Sequence, residues 1–370
     1  MQPRVSRRKL LATAALTAAG NPHLVRKLLA ATTNETLIRL PGVVRVGIIG
    51  LEGHYSEILE PAKLLPQIQI VAIAERDEAL LQRASGHPLM KAARVYGDYR
   101  KMLDEEKLDV VAVCGENGTR ASIVRSCSER KIPVVAEKPL AVSLEELEAT
   151  KKKVSASGVP LTMLLPMRFY PQYQAMHSII AQGEIGEVVS MGAQKSYKLG
   201  ARPAWMRARK TFGGTIPYIG IHMVDLMRWV SGREFVETAA FHSRAGFPEI
   251  GEMENNTAVI FRTDNQGTAC LRMDYLRPAA AESHGDDRLL ISGTRGVIEY
   301  QEGRDVTLIT GSRSVAALRD LPPPKHLFVD FLDALYNGRK HLLTPDEIYR
   351  VTEIVLKSRE AADSGRVIKL

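Results

Sequence analysis

Apolar and polar positions follow two different rhythms along this chain, and the change falls near residue 160. Before it, short β-branched runs such as 43–49, 68–74 and 110–114 alternate with stretches in which apolar residues recur at helical spacing. Strands that alternate with helices predict a parallel sheet with helices on both faces. We therefore expect residues 43–160 to form a doubly wound α/β domain of the Rossmann type.

Beyond residue 160, an amphipathic helix is followed by runs in which apolar and polar residues alternate. These runs span 188–197, 257–262, 267–275, 288–292, 297–300 and 305–309. Because such alternation is typical of a sheet with one buried face, it predicts a large, mainly antiparallel sheet with its helices on one side. Residues 161–370 are therefore expected to form a second, α+β domain that ends in a helix over 345–362 and a short strand.

Length and charge support a two-domain enzyme. The chain has 370 residues, which exceeds the size of most single-core domains. Its formal net charge is +8, but residues 1–31 carry six cationic side chains and no acidic one. Since the remainder is close to neutral, composition argues against a nucleic-acid partner. The three cysteines lack C-x-x-C spacing, so neither a metal site nor a disulfide framework is expected.

The basic leader has a pattern of its own. Arg7 and Arg8 precede a mildly apolar, alanine-rich stretch, and this resembles a bacterial twin-arginine signal peptide. We expect residues 1–31 to direct export of the folded protein to the periplasm by the twin-arginine machinery. The alternative is a basic tail without a targeting role.

The turn after the first strand is the first candidate cofactor site. A dinucleotide fingerprint, G-x-G-x-x-G, would start at Gly50, but this chain has Glu52 and Tyr55 at its second and third glycine positions. Gly53 offers a shifted turn. A carboxylate at position 52 repels a pyrophosphate unless it is turned away or protonated. We predict that Gly50 and Gly53 shape a dinucleotide-binding turn in spite of Glu52.

The end of the second strand carries the expected acidic residue. Glu75 lies where a carboxylate binds the ribose hydroxyls of NAD, and Arg76 beside it is suited to the 2′-phosphate of NADP. The cofactor is therefore predicted to be NAD or NADP, with NAD favoured.

Glu137-Lys138-Pro139 follows the apolar run 132–136, so Lys138 is expected at the carboxyl end of a strand. Ligands bind at that edge of an open α/β sheet, where an ammonium group can reach a cofactor or a substrate hydroxyl. The alternative is a solvated lysine paired with Glu137.

The segment 213–225 opens with Gly213-Gly214 and ends with His222 and Asp225. Together with the glycine turn, Glu75 and the Glu-Lys-Pro motif, it resembles the glucose-fructose oxidoreductase / inositol dehydrogenase (Gfo/Idh/MocA) family over roughly residues 43–370. The resemblance implies a nicotinamide cofactor and oxidation of an alcohol carbon. It also implies that the open face of the second sheet forms a homo-oligomer interface.

The resemblance assigns catalytic roles to four residues. His222 would act as the acid/base, and Lys138 would hydrogen-bond the reacting oxygen. Family members carry an aspartate where this chain has Tyr218, which cannot serve as a counter-ion of His222. Asp225, one helical turn after His222, is the alternative orienting group, or it only stabilises its helix.

The remaining candidates lie around the expected cleft. Asn117 matches a loop asparagine beneath the cofactor in the family, although a plain turn at 116–118 is an alternative. Glu137 is expected to contact the cofactor together with Lys138. The candidate substrate contacts are Arg168, Trp205 and His284.

These patterns predict an exported NAD(P)-dependent oxidoreductase that acts on a secondary alcohol of a sugar, cyclitol or polyol. Two alternatives stay open at this point. One is a glycoside hydrolase or lyase of the same family that uses the cofactor transiently, and the other is a catalytically silent sugar-binding or regulatory relative.

Overall fold

The computed structural model describes residues 38–246 and 250–370. The leader 1–31, with its expected export signal, lies outside the described residues. Within the described part, none of the helices is long and apolar enough to span a membrane.

The first sheet has six parallel strands in the order β3-β2-β1-β4-β5-β6. The strands are β1 (Val44–Ile49), β2 (Ile68–Ala74), β3 (Arg94–Tyr96), β4 (Val110–Val113), β5 (Val134–Ala136) and β6 (Leu161–Met163). Strands β4, β5 and β6 are buried along their whole length, as expected for a parallel sheet covered on both faces. The predicted doubly wound Rossmann domain is confirmed.

Five helices connect these strands. They are α1 (Ser56–Leu64), α2 (Glu78–Ser85), α3 (Tyr99–Glu105), α4 (Asn117–Glu129) and α5 (Leu144–Ser157). Helix α5 starts where Ser143 accepts a hydrogen bond from the Glu146 amide at 3.2 Å, and it ends at Gly158, whose φ of 67° is left-handed. Such a serine cap and glycine stop fix both ends of a helix.

The predicted boundary at residue 160 is wrong by one strand. Strand β6 lies beyond that boundary, yet it pairs in parallel with β5, with Val134 opposite Leu161 and Ala136 opposite Met163. The short apolar run at 161–163 completes the first sheet because it buries all its side chains there.

The second sheet has nine strands in the order β14-β13-β12-β11-β7-β10-β9-β8-β15. They are β7 (Val188–Lys198), β8 (Phe235–Ser243), β9 (Asn256–Thr263), β10 (Thr268–Arg277), β11 (Gly285–Gly293), β12 (Gly296–Gln301), β13 (Thr307–Thr310), β14 (Arg313–Ala317) and β15 (Ile368–Lys369). Only the central pair β7 and β10 is parallel. The predicted α+β domain with a mainly antiparallel sheet is therefore confirmed.

One face of this sheet is covered by helices and the other is open. The covering helices are α6 (Pro171–Ala181), α8 (Ile221–Ser231) and α10 (Pro345–Ser364), whereas the short α7 (Arg209–Phe212) packs against α4 of the first domain. Strand β9 shows the result, because its residues alternate strictly between buried and exposed. Cys270 on β10 points to the open face and is exposed, whereas Cys114 and Cys127 are buried.

A further helix, α9 (Leu327–Asn337), returns to the first domain late in the chain. Its buried residues Leu327 and Phe328 join the apolar cluster that contains Val44 and Ile58. The first domain is thus completed by a distant segment, which the sequence pattern did not predict.

Candidate active site

The carboxyl ends of β1, β4 and β5 lie side by side in the first sheet. Gly50 follows β1, Gly115 lies two residues after the end of β4, and Lys138 lies two residues after the end of β5. Ligands bind at this edge of an open α/β sheet. The structure therefore brings the predicted cofactor turn and the predicted catalytic lysine to one edge.

The turn after β1 requires glycine at two positions. Gly50 has a φ of +79°, and a Cβ atom there would lie 2.4 Å from the backbone Cα of Gly115. Gly53 has a φ of +66°, and a Cβ atom there would lie 2.5 Å from a carboxylate oxygen of Glu137. Both positions combine left-handed backbone with close approach, so the predicted glycine turn is present.

Glu75 holds this turn in place. One carboxylate oxygen accepts from the Leu51 amide at 2.9 Å, and the other accepts from the amides of Arg76 and Asp77 at 2.7 and 3.0 Å. A carboxylate has about four acceptor positions, so one remains for a ribose hydroxyl. Arg76 is exposed at the same edge, where its Nε donates to the Gly97 carbonyl at 2.6 Å.

Glu52 is engaged by the second domain. Its carboxylate accepts from the Trp205 indole nitrogen at 2.5 Å. Burial raises the pKa of Glu52, the Trp205 hydrogen bond opposes this, and the nearby charges of Glu75 and Asp77 raise the pKa further. The carboxylate that interrupts the glycine fingerprint is thus tied to a side chain across the domain boundary.

Asn117 and Arg120 line the same edge from α4. The Asn117 amide donates to the Phe212 carbonyl at 2.7 Å, while its buried Oδ1 has no hydrogen-bond partner among the described residues. Arg120 is 2% exposed, and it donates to the carbonyls of Pro139 and Gly115 at 2.8 and 2.7 Å. An orphaned acceptor beside the glycine turn fits an added ligand with N–H groups.

Glu137 joins the first turn to the lysine strand. It accepts from the His54 amide at 2.5 Å and from the Lys138 amide at 2.7 Å, and it also bonds the His54 ring. Although burial alone would raise the pKa of Glu137, the interactions with His54 and then with Lys138 and Arg120 lower it, so the carboxylate stays ionised. Its bonds are internal, and its role is to position neighbours of the predicted cofactor.

Lys138 is only 3% exposed, although lysine side chains are usually charged and exposed to solvent. Its Nζ donates to the Tyr218 carbonyl at 2.9 Å and lies 3.5 Å from the centroid of the Tyr218 ring. Burial lowers the pKa of Lys138 to about 7; Glu137 opposes the shift, whereas Arg120, Lys195 and Arg202 add to it. An amine with a pKa near neutrality can accept and return a proton at physiological pH.

Tyr218 comes from a π-helical turn, Ile216–Gly220, directly before α8. Its ring faces the Lys138 ammonium, a favourable cation–π contact. Burial raises the pKa of Tyr218 to about 12, so the phenol is neutral at physiological pH. Tyr218 therefore contributes a ring and a carbonyl to Lys138, and no negative charge.

His222 lies in the first turn of α8 and is 5% exposed. Its Nδ1 has no hydrogen-bond partner among the described residues, and its ring meets His54 edge-on with 5.8 Å between centroids. Burial, followed by the charges of Lys195 and Lys138, lowers the pKa of His222 well below its ordinary value. The imidazole is thus neutral at physiological pH, and its unpaired Nδ1 can accept or donate a hydrogen bond.

Arg168 and Asp225 do not join this site. Arg168 is fully buried and donates to both carboxylate oxygens of Asp225, at 2.8 and 2.6 Å, and to Glu347 at 2.9 Å. The expected orienting contact between Asp225 and His222 is absent, because Arg168 takes both oxygens and Nδ1 of His222 is unpaired. Arg168 likewise has its guanidinium committed to this internal pair, and its predicted role as a substrate contact has no support in the geometry.

The other two substrate candidates lie at the margin. Trp205 is half-buried and meets the Tyr218 ring edge-on with 6.3 Å between centroids. His284 is exposed and stands against the Tyr197 ring at 5.1 Å.

The sequence reasoning missed three residues of the cleft. His54 contacts Glu137 and His222 from the first turn. Lys195 on β7 and Asp287 on β11 form a buried ion pair on the helix-covered face of the second sheet. A charge at an inward position of an alternating strand was the available signal. Over residues 38–246 and 250–370, no set of three His, Cys, Asp or Glu side chains is arranged to hold a metal ion.

A glycine turn at the carboxyl edge of a six-stranded parallel sheet is typical of a dinucleotide-binding Rossmann fold. Residues 44–164 match the model of an oxidoreductase family with an NAD-binding Rossmann fold. Residues 173–299 match the GFO/IDH/MocA C-terminal domain. The chain belongs to the Gfo/Idh/MocA family, which confirms the resemblance seen in the sequence.

Known proteins of similar length support this assignment. A solved oxidoreductase from Thermotoga maritima is 32% identical with a TM-score of 0.84, over 88% of this chain and 100% of that chain. The oxidoreductase YrbE of Bacillus subtilis is 26% identical over 88% of both chains. The myo-inositol 2-dehydrogenase of Thermotoga maritima is 25% identical over 72% of this chain and 78% of its own length.

Proposed function

We propose that this protein is an NAD(P)-dependent oxidoreductase that acts on a secondary alcohol of a sugar, cyclitol or polyol. The family membership supports the redox class, and similarity to a myo-inositol 2-dehydrogenase supports a polyhydroxylated substrate. The observation that carries the proposal is Lys138, a buried amine with a pKa of about 7 at the edge where the cofactor turn lies.

The described residues fit a bound dinucleotide. Gly50 and Gly53 shape the turn, Glu75 retains an acceptor position for a ribose hydroxyl, and Asn117 offers an orphaned amide oxygen. When bound, the nicotinamide would accept a hydride from the substrate carbon. We favour NAD because the acceptor at the end of β2 is a carboxylate, while Arg76 keeps NADP as the alternative.

Lys138 is assigned the proton transfer. Above a pH of about 7 its amine is neutral and accepts the proton of the substrate hydroxyl. The Tyr218 ring and carbonyl then hold the resulting ammonium. For the reverse reaction, the ammonium returns the proton to the new alkoxide oxygen.

His222 is assigned a hydrogen-bonding role in place of the acid/base role that the resemblance implied. An imidazole whose pKa lies well below 6.5 because of burial and the charges of Lys195 and Lys138 is a weak base. Its free Nδ1 is suited to orient the reacting hydroxyl.

The alternatives from other classes gain no support. Comparison with oxidoreductases and dehydrogenases favours neither a glycoside hydrolase nor a silent binding protein. A silent protein would also have no need of a buried amine with a pKa near 7, since burying a charged group costs stability.

Two expectations about the cellular context remain part of the proposal. Arg7 and Arg8 support export to the periplasm through the twin-arginine machinery. Exposed apolar residues on the open sheet face, including Phe241 at 75% and Ile260 at 57% exposure, support a homo-oligomer formed through that face.

Cofactor binding and substrate oxidation can be tested separately. The purified protein is denatured and the supernatant is assayed for released NAD or NADP. The folded protein is then mixed with myo-inositol or D-xylose and either dinucleotide, and reduced nicotinamide is followed by its absorbance. Formation of reduced cofactor with one of these or a related polyol supports the proposal. Absence of dinucleotide binding, measured by calorimetry with both NAD and NADP, would overturn it.

A further inference from the structure

The segment 213–218, which we call the tyrosine turn, carries the groups that hold Lys138. Nζ of Lys138 donates to the Tyr218 carbonyl at 2.9 Å and lies 3.5 Å from the centroid of the Tyr218 ring. The Tyr218 amide in turn donates to the Gly214 carbonyl at 3.1 Å. The position of the Tyr218 carbonyl and ring therefore depends on how the tyrosine turn is anchored to the rest of the molecule.

Glu254 anchors the tyrosine turn from one side. Its carboxylate accepts from the Thr215 amide at 2.9 Å, and its carbonyl accepts from the Thr215 hydroxyl at 2.7 Å. Thr215 is fully buried and Glu254 is 3% exposed. The other carboxylate oxygen of Glu254 lies 2.6 Å from Nη2 of Arg209. Glu254 is thus fixed by a cation, and it holds both donor groups of Thr215.

Arg359 on α10 anchors the tyrosine turn from another side. Its Nη1 donates to the Gly213 carbonyl at 2.6 Å and to the Val142 carbonyl at 2.9 Å. Val142 lies four residues after Lys138, in the connection from β5 to α5, and Gly213 lies five residues before Tyr218. One guanidinium nitrogen therefore ties the segment that carries Lys138 to the turn that carries Tyr218.

The two glycines let the tyrosine turn approach its anchors. Gly214 has a φ of +106°, and a Cβ atom there would lie 2.6 Å from Nη1 of Arg209 and 3.2 Å from Cδ of Arg359. Gly213 has a φ of +87°, and a Cβ atom there would lie 2.8 Å from a methyl group of Val142. The glycine pair is therefore required by close contact as well as by backbone conformation.

Stability alone does not account for the place of Arg359. Its side chain is 19% exposed, and burial, followed by the charge of Arg209, lowers its pKa. Its Nε has no hydrogen-bond partner among the described residues, because the Asp363 carboxylate lies 3.9 Å away. A partly satisfied, mostly buried cation is unfavourable for folding, so the two carbonyls that Arg359 holds explain its position better.

We propose that Arg359 and Glu254 are positioning residues for Lys138. They act through the tyrosine turn, at Gly213 and Thr215, and they keep the Tyr218 carbonyl and ring against the Lys138 side chain so that water is excluded from it. This inference rests on the proposed function, in which Lys138 is the base, and it adds two residues of the second domain that set the properties of that base.

The inference predicts what happens when an anchor is lost. Without the bond from Arg359, the tyrosine turn moves away from Lys138 and water reaches Nζ. Because burial is the largest cause of the lowered pKa of Lys138, access of water should raise this pKa from about 7 toward its ordinary value. The neutral amine that accepts the proton then becomes scarce at physiological pH.

The experiment compares Arg359→Gln with Arg350→Gln. Arg350 is a matched control, because it lies on the same helix, donates to the Phe235 carbonyl at 3.0 Å and is 25% exposed. Each protein is acetylated with a trace of acetic anhydride over a pH series, and modification of Lys138 and Lys195 is quantified by mass spectrometry. The midpoint for Lys138 should lie near pH 7 in wild type and in Arg350→Gln. In Arg359→Gln it should be higher by about one pH unit or more.

Lys195 reports whether the fold is intact. It is 1% exposed and forms its ion pair with Asp287 inside the second sheet. A higher reactivity of both lysines in Arg359→Gln would show that Arg359 only holds the fold together, and it would overturn the inference. An unchanged midpoint for Lys138 would overturn it as well. Arg359→Lys, which keeps a cationic donor, should restore most of the wild-type midpoint.

A gentler pair of variants tests the Glu254 anchor. Thr215→Val keeps the shape of the side chain and removes the hydroxyl that donates to the Glu254 carbonyl. Thr352→Val is its control, since Thr352 is also fully buried and its hydroxyl donates to the Ile348 carbonyl at 2.8 Å. We expect the Lys138 midpoint to rise in Thr215→Val and to stay in Thr352→Val. Equal midpoints in these two variants would contradict the role of Glu254.

Acetylation separates this inference from the proposed function, because it requires neither cofactor nor substrate. A raised Lys138 midpoint in Arg359→Gln supports the anchor even if no alcohol is oxidised. Where a polyol is oxidised, the midpoint of the pH–rate profile should rise in Arg359→Gln and return toward wild type in Arg359→Lys. An identical pH–rate midpoint in wild type and Arg359→Gln would refute the positioning role while leaving the oxidoreductase function in place.

Discussion

Replacement of Lys138 by arginine separates proton transfer from simple hydrogen bonding. Arginine keeps a cation and N–H donors at this position, but it does not deprotonate in proteins. If Lys138 accepts the substrate proton, Lys138→Arg should lower kcat for alcohol oxidation by about 10²–10⁴-fold. If Lys138 only polarises the oxygen, most of the activity should survive.

The magnitude follows from the burial of the amine. A fall in the pKa of Lys138 from 10.5 to about 7 favours the neutral amine by roughly 5 kcal/mol relative to an exposed lysine. At pH 8 most of the wild-type Lys138 is therefore neutral and able to accept a proton. The rate of oxidation should rise with pH through a midpoint near 7, and the rate of carbonyl reduction should fall through the same midpoint.

The assay measures reduced nicotinamide at a series of pH values with a polyol that wild type oxidises. His222→Gln is the comparison, because it keeps a side-chain donor and acceptor but cannot titrate. We expect its activity to fall while its midpoint stays near pH 7. Activity of Lys138→Arg within tenfold of wild type, or loss of the midpoint in His222→Gln alone, would refute the assignment of Lys138 as the base.

Three further predictions concern charge and stability. Glu52→Gln should tighten dinucleotide binding about tenfold at low salt, since it removes a negative charge beside the glycine turn; calorimetry showing an unchanged Kd would contradict this. Asp225→Asn should lower the free energy of unfolding by about 3 kcal/mol, because the fully buried Arg168 would keep only Glu347 as an anionic partner, and denaturant titration checks it. Lys138→Met should raise stability near pH 7 by a few kcal/mol. Wild type should gain stability between pH 7 and 10.5, because in this range Lys138 is protonated in the unfolded chain and neutral in the folded protein, and Lys138→Met should lose this gain. The measurement is the free energy of unfolding as a function of pH. Parallel pH curves for the two proteins would count against the burial argument.

Most of the fold could be predicted from local sequence patterns. The sequences of β1, β2 and β4 are continuous runs of mainly β-branched apolar residues, and such runs predict strands that are buried on both faces. The short strand β6 was assigned to the second domain because three apolar residues are too few to show a helical or strand periodicity. Helix α9 was missed for a different reason, since its partners lie in a domain that the chain left much earlier.

The same distinction applies to the site. The positions of Gly50, Glu75 and Lys138 at one edge of the sheet were predictable, because each follows a strand of the parallel sheet. The ion pair between Arg168 and Asp225 was not predictable, because 57 residues separate the two in the sequence and each residue by itself suited a functional role. The pairing of Lys195 with Asp287 spans 92 residues and depends on a strand register that the sequence does not state.

The tyrosine at position 218 links these observations. Where the family carries an aspartate, this chain places a neutral ring against Lys138, so the ammonium gains a cation–π contact but no counter-ion there. Without that negative charge, burial dominates, and it lowers the pKa of both Lys138 and His222. A histidine whose pKa lies well below 6.5 is a weak base, whereas a lysine with a pKa of about 7 is suited to accept the substrate proton. The exchange of aspartate for tyrosine therefore supports our proposal that the lysine, and not the histidine, transfers the proton.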